Sequence, residues 1–232
     1  MAYEEIRKKL DEQPFAKLNM LIYEYLANQI ITMELKPGTK LNENLIAKEL
    51  GVSRSPVNMA MQQLEADGLI TKPSRGTPFV TKMEPDDCCM LCEIRNCLEG
   101  EAAYYAAKRI SPSALKKLKT LLLQFKDLKT GTDATLEDVD KYVHLDAEFH
   151  KIIIEASGNK FFIDSYNGIY RNLMRWRWYI NNTTLNSPTY NIHEYNHHFA
   201  IYRALENHHS SLARDEVLCD ISRMFSILHY LH

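Results

Sequence analysis

Asp146 and His150 stand four positions apart in a stretch whose apolar residues, Tyr142, Val143, Phe149, Ile153 and Ile154, recur at helical spacing. On a helix this spacing places a carboxylate and an imidazole side by side on one face. Such a corner can supply two ligands to a divalent metal ion, or form a structural hydrogen bond. A second pair comes from the last two helical stretches, which reverse at His208-His209. His198 and Asp220 lie at nearly equal distances on either side of that turn. In an antiparallel helix hairpin such residues stand at the same height. His198 and Asp220 can therefore face each other and, with Asp146 and His150, complete a set of four ligands.

Other reactive side chains admit plainer readings. His197 adjoins His198 but points about 100° away on a helix, towards the surface or the back of a ligand. The run Arg175-Trp-Arg-Trp-Tyr179 can stack on a bound molecule or simply pack a helix on its neighbours. Cys88, Cys89, Cys92 and Cys97 crowd into ten residues and Cys219 stands apart, an odd set of five. Cys89-x-x-Cys92 has no second pair to build a zinc knuckle, so the thiols read as reduced, small apolar residues of a helix. Glu194-x-x-His197 and Glu206-x-x-His209 have the spacing used by carboxylate-bridged di-metal enzymes. That chemistry needs the two motifs on different helices, plus two further glutamates, whereas here both fall within 16 residues and the second lies in a turn.

The elements that position these groups span 232 residues, with 45% hydrophobic and 25% charged side chains, enough for two modest cores. Apolar runs are too short for a membrane helix, and the start MAYEEIRKKL lacks a signal-peptide pattern, so a cytoplasmic protein is expected. The net charge is −2, yet residues 36–82 carry seven Lys/Arg against four Asp/Glu. A locally basic segment on an acidic protein is an electrostatic footprint for DNA.

That segment has the order of a winged helix-turn-helix. The spacing predicts a helix from about Lys17 to Glu34, a break at Lys36-Pro37-Gly38-Thr39, and a short helix capped by Asn42 and ended by Gly51. A third helix, capped by Ser53, has the apolar stripe Val57, Ala60, Met61 and Leu64 and stops at Asp67-Gly68. Leu69-Ile70-Thr71 and Phe79-Val80-Thr81 then read as two strands around a turn at Pro73-Ser74-Arg75-Gly76. The polar face of the third helix presents Arg54, Ser55, Asn58 and Gln62. Arg54 can grip guanine by two hydrogen bonds, while Asn58 and Gln62 suit adenine. From Asp86 onward the chain reads as about six helices, with boundaries at Ser111-Pro112, Gly131, Thr135 to Asp138, Ser157 to Asn159, Asn181 to Pro188 and Asn207 to Ser211. The expectation is a mainly α protein: a winged helix-turn-helix of three helices and a β-hairpin over 14–82, then an all-α bundle over 86–230.

The stretch from Leu35 to Val57, with Leu64-Glu-Ala-Asp-Gly-Leu-Ile70, Arg75-Gly76 and Phe79-Val80, resembles the GntR family of regulators. Glu93-Ile-Arg-Asn-Cys-Leu-Glu99, the run from Asp146 to Asn159, and His198 to Leu205 resemble the FCD-type sensor domain of its FadR-like branch. The resemblance covers about residues 17–228. It implies base contact by Arg54, DNA contact by Ser53 and Ser55, and a wing-tip Gly76 near the minor groove. Asn44 and Asn58 stand where family members commonly carry arginine, which implies a divergent operator and a shallower salt dependence, with Lys72 and Arg75 replacing part of the charge.

For the bundle, the resemblance implies a divalent metal (zinc, nickel, manganese or iron) on one Asp and three His, with a carboxylate effector completing the coordination. Asp220 here takes the last histidine's place. Two carboxylates neutralise a divalent cation, so an acid effector would rely more on arginine: Arg95 first, then Arg171. Arg95 can instead pair with Glu99 on its own helix. The expected protein is a homodimer on a palindromic operator, modulated by a small organic acid, without enzymatic activity. The rival readings are a DNA-binding dimer with a vestigial sensor pocket and a metal-dependent bundle enzyme.

Overall fold

The computed structural model describes residue 8 and residues 17–129, 134–184 and 194–229. The boundary expected at Gly131 and the second half of that from Asn181 to Pro188 lie outside the described residues. The chain divides into two compact units, Met1–Met83 and Glu84–His232.

In the first unit α1 (Leu18–Ile31) buries Leu21, Ile22, Leu26, Ala27 and Ile30, the stripe its spacing announces. It ends three residues short of Glu34. Thr32 turns its hydroxyl back onto the Asn28 carbonyl at 3.0 Å, and Met33 takes a left-handed φ of 63°, which terminates the helix. In α2 (Glu43–Glu49) the Asn42 side chain accepts from the Asn44 and Leu45 amides at 3.0 and 3.2 Å, and Gly51 ends it at φ 64°. Ser53 has the extended backbone of an N-cap before α3 (Arg54–Ala66), but its hydroxyl makes no capping bond. The wing pairs β1 (Ile70–Thr71) with β2 (Phe79–Val80) antiparallel, Ile70 opposite Val80, and Lys40 bridges Phe79 on the other side. One core joins these pieces: Ile22, Leu26, Ile30, Leu50, Val57, Met61, Leu64, Leu69 and Val80.

The second unit is all helix among the described residues: α4 (Pro85–Arg95), α5 (Glu101–Arg109), α6 (Pro112–Lys126), α7 (Leu136–Ala156), α8 (Lys160–Thr184), α9 (Glu194–Glu206) and α10 (Ser210–His229). A π turn over Asn96–Gly100 joins α4 to α5 in one continuous rod, which makes six rods among the described residues. The α5 face of Ala102, Ala103, Ala106 and Ala107 is buried against α7 and α10. Gly100 admits that approach, since a Cβ there would meet Leu218 Cδ2 at 3.0 Å. Ser111 caps α6, and Thr135 with Asp138 forms the expected reciprocal capping box on α7. All five cysteines are free thiols, Cys88 and Cys92 buried in α4 as small apolar residues. Among the described residues no helix is long and apolar enough to cross a membrane.

Leu64 is fully buried where α3 meets the wing. Leu64→Ala is expected to destabilise the protein by about 2–5 kcal/mol, measured by urea unfolding followed by far-UV circular dichroism.

Candidate functional site

Two places in the structure concentrate polar side chains that the fold itself does not require. The first is the outer face of α3. Its buried stripe of Val57, Ala60, Met61 and Leu64 leaves Arg54, Ser55 and Gln62 exposed and Asn58 half-buried. With Glu43 and Met59 they line an open groove of about 460 Å³. Ser53 and Asn44 are exposed beside it, as are Lys72, Arg75 and Gly76 in the wing. Gly76 takes φ 134°, and an added Cβ would press on Pro73 Cγ at 3.2 Å, so the wing loop is built around a missing side chain. Glu43 escaped the sequence reading because a glutamate in a first helical turn looks like dipole compensation. Its carboxylate accepts from Asn58 Nδ2 at 3.3 and 3.4 Å and lies 3.9 Å from Lys72 Nζ.

The second place is the interior of the bundle. Helices α7, α9 and α10 bring Asp146, His150, His198 and Asp220 together, so that one donor atom of each lies within 4.8 Å of the others. The first three are buried, and Asp220 nearly so. Tetrahedral donors on bonds of about 2.1 Å would stand about 3.4 Å apart, so the cluster closes on an ion with shifts of about an ångström. His198 Nε2 sits 3.1 Å from Asp146 Oδ1, its ring stacked on Phe125 at 4.4 Å and edge-on to Phe149 at 4.7 Å. These apolar walls shield the cluster from water.

The orientation of His150 is decided from outside the cluster. Its Nδ1 lies 2.7 Å from Glu99 Oε2. An ionised carboxylate only accepts, so Nδ1 carries a hydrogen, and whenever the ring is neutral Nε2 turns its lone pair inward. Nε2 is 3.2 Å from Asp220 and 3.5 Å from Asp146. A buried ring nitrogen of this kind, ringed by two carboxylates and a second imidazole, fits a metal ligand. Glu99 reaches His150 from the π turn, where Arg95 grips it from one turn earlier through Nε at 2.5 Å and Nη2 at 3.2 Å.

Burial opposes every charge in this interior, and the partners decide the balance. Burial pushes the His150 imidazole towards neutrality, but Glu99 and Asp146 overcome it and raise its pKa well above the ordinary value. His198 moves the same way despite burial, through its bond to Asp146. Against the same penalty, Arg177 and His150 hold Asp146 well below the carboxylate range, and Arg95 and His150 hold Glu99 down. Without a metal, both shifts favour protonated imidazoles beside the carboxylates.

Of the two arginines expected to face an effector, Arg95 is committed to Glu99, the alternative its spacing allowed, and Arg171 is half-buried on α8 with partners of its own. Arg177, also on α8, was passed over as part of an aromatic run. It is buried, and its Nε contacts the Asp146 carboxylate. Tyr166 is fully buried, and its hydroxyl bears on the Arg177 guanidinium. No periodicity argument could have found Arg177, because its apolar neighbours mark the whole α8 segment as core. Glu206 of the second Glu-x-x-His motif is instead held by Tyr202 at 2.7 Å and Arg203 at 3.1 Å.

Comparison with known proteins places this geometry. Residues 18–80 match the family described as bacterial regulatory proteins, gntR family, and residues 90–222 match the FCD domain. The protein titled "Uncharacterized HTH-type transcriptional regulator YdhC" of Bacillus subtilis (strain 168) is 31% identical over 139 residues, 60% of each chain. The "HTH-type transcriptional repressor RspR" of Escherichia coli (strain K12) is 29% identical over 145 residues, 62% of this chain and 61% of that one. The matched span is thus about six tenths of these relatives. The solved structure titled "E. coli McbR/YncC" shares the fold, with a TM-score of 0.76 over 94% of this chain and 99% of that one at 19% identity. With the FCD match covering more than half of the chain and the gntR match the winged unit before it, the protein belongs to the GntR family of bacterial regulators, in the branch that carries an FCD domain.

Proposed function

We propose that this protein is a ligand-responsive, DNA-binding transcriptional regulator. Two copies bind a two-fold symmetric operator, one α3 per half-site. The observation that carries this reading is the polar row of exposed Arg54, Ser55 and Gln62 with half-buried Asn58, on a helix whose other side is fully buried, next to a two-stranded wing. Ser53, Asn44, Arg75 and Gly76 supply contacts beside them, and Lys72 stands next to Glu43. Arg54 reads guanine from the N-terminal end of α3, where side chains reach base edges.

In the bundle, Asp146, His150, His198 and Asp220 hold a divalent cation, with Glu99 orienting His150 from behind. When bound, the ion supplies a Lewis-acidic position for a small acid. The charges support the pairing. Arg95 and Arg177 oppose the three carboxylates of Glu99, Asp146 and Asp220, leaving one negative charge when both imidazoles are neutral. A divalent ion turns that into one positive charge, which a monocarboxylate cancels. Arg177 and the Tyr166 hydroxyl beside it are the groups that receive the acid. Effector binding alters the bundle and with it the spacing of the two reading helices, so the acid and the operator influence each other's affinity reciprocally.

Three outcomes are expected. Arg54→Ala lowers operator affinity by about tenfold or more in fluorescence anisotropy while leaving salt-dependent non-specific binding largely intact. Addition of a divalent ion to chelator-treated protein raises its melting temperature and releases protons. The rise grows from pH 6 to pH 8, because the elevated folded pKa values of His150 and His198 give the metal-free state stability present in acid and lost as pH rises through them, while the metal needs both rings neutral. Arg177→Gln retains the metal-induced rise but loses any further rise given by small carboxylic acids, as read by thermal denaturation.

A further inference from the structure

Glu43 places a negative charge on the surface that the proposed regulator turns towards DNA phosphates, and its surroundings show what it does there. It begins α2, with only 17% of its side chain exposed, and points across to α3. Asn58 gives Glu43 its amide N–H at 3.3 and 3.4 Å, and the Asn58 carbonyl accepts from Gln62 Nε2 at 3.0 Å. Lys72 approaches the same carboxylate from the wing at 3.9 Å. These groups form a chain along the groove floor, from Gln62 through Asn58 and Glu43 to Lys72.

An asparagine amide on a reading face can turn over, presenting donor and acceptor in either order. A carboxylate can only accept, so Glu43 fixes which end of Asn58 is the NH2, and Gln62, whose own amide can turn over, follows by giving its N–H to the Asn58 oxygen. Each end then has one hydrogen or one lone pair left over. One donor beside one acceptor matches the N7 and N6 edge of adenine. Guanine offers two acceptors, N7 and O6, and would set O6 against the Asn58 oxygen.

We propose that Glu43 is a specificity-determining positioning residue: by locking the Asn58 amide it makes the operator half-site carry adenine at the base pair read by residue 58. Arginine at this position would read guanine instead. Glu43 also neutralises Lys72, which withholds one charge from phosphate binding and keeps non-specific affinity low. The inference rests on the DNA-binding reading above, and the experiment separates the two.

Half-sites selected from random duplexes by the full-length protein, by Asn58→Arg and by Glu43→Gln are sequenced, and affinities for the selected duplex and its single-base variants are measured against salt. The wild type is expected to select adenine at one position that Asn58→Arg converts to guanine with the other positions unchanged. Glu43→Gln, whose amide can both donate and accept, is expected to lower adenine preference there by about tenfold. It should also steepen the log–log salt dependence by about 0.9 as Lys72 is released. Glu43→Asp should retain the preference. Circular dichroism melts establish that each variant is folded, and an unfolded Glu43→Gln is replaced by Lys72→Gln, which is expected to leave the salt slope almost unchanged. Selection of guanine by the wild type, or a folded Glu43→Gln (or Lys72→Gln in its place) that departs from these outcomes, would overturn the role of Glu43. Failure of the wild type to select any duplex would overturn the DNA-binding reading itself.

Discussion

A neutral imidazole has two nitrogens, and something must decide which keeps the proton. For His150 it is Glu99, 2.7 Å from Nδ1 and held in place by Arg95. Everything in the bundle interior follows from that contact. It aims Nε2 at Asp146, His198 and Asp220, gathering donors from three helices around one point. The contact depends on the π turn, which places Glu99 at the end of a rod that otherwise packs on neighbouring helices through small residues. A bundle built only for stability would gain little from this arrangement, since buried ion pairs seldom exceed the stability of a well-packed apolar core. The concentration of charge there is better understood as a binding device than as a structural one.

The two units solve different electrostatic problems. The bundle hides three carboxylates and three guanidinium groups, those of Arg95, Arg175 and Arg177, from water. The winged unit exposes its polar groups and links them to one another, so that Asn58, Gln62, Glu43 and Lys72 are ordered before any nucleic acid arrives. Preorganisation of this kind reduces the ordering needed on binding and favours one base over another.

The sequence carried the architecture because its periodicities are strong. The α3 stripe, the Asn42 cap, the Gly51 stop and the Thr135 box all act within a few residues, and each formed as expected. The four-residue cluster was also legible, since the i,i+4 pair and the hairpin symmetry are both matters of spacing. Contacts between distant segments were not. Glu43 meets Asn58 across 15 residues, and Arg177 meets Asp146 across two helices, with nothing local to mark either pair. The early end of α1 escaped for a different reason: Met33 takes a left-handed conformation that its residue type does not favour. Arg95 shows the same boundary from the other side, since its neighbour at i+4 was visible but only the fold decides whether that partner holds it.

The most direct test of the bundle's role is a crystal structure of the protein loaded with zinc, with anomalous diffraction collected across the metal edge. The account predicts one peak inside the bundle, about 2.0–2.2 Å from donor atoms of Asp146, His150, His198 and Asp220, with Glu99 still on the far nitrogen of His150. A map with no peak there, and His150 Nε2 hydrogen-bonded to Asp220 instead, would contradict it.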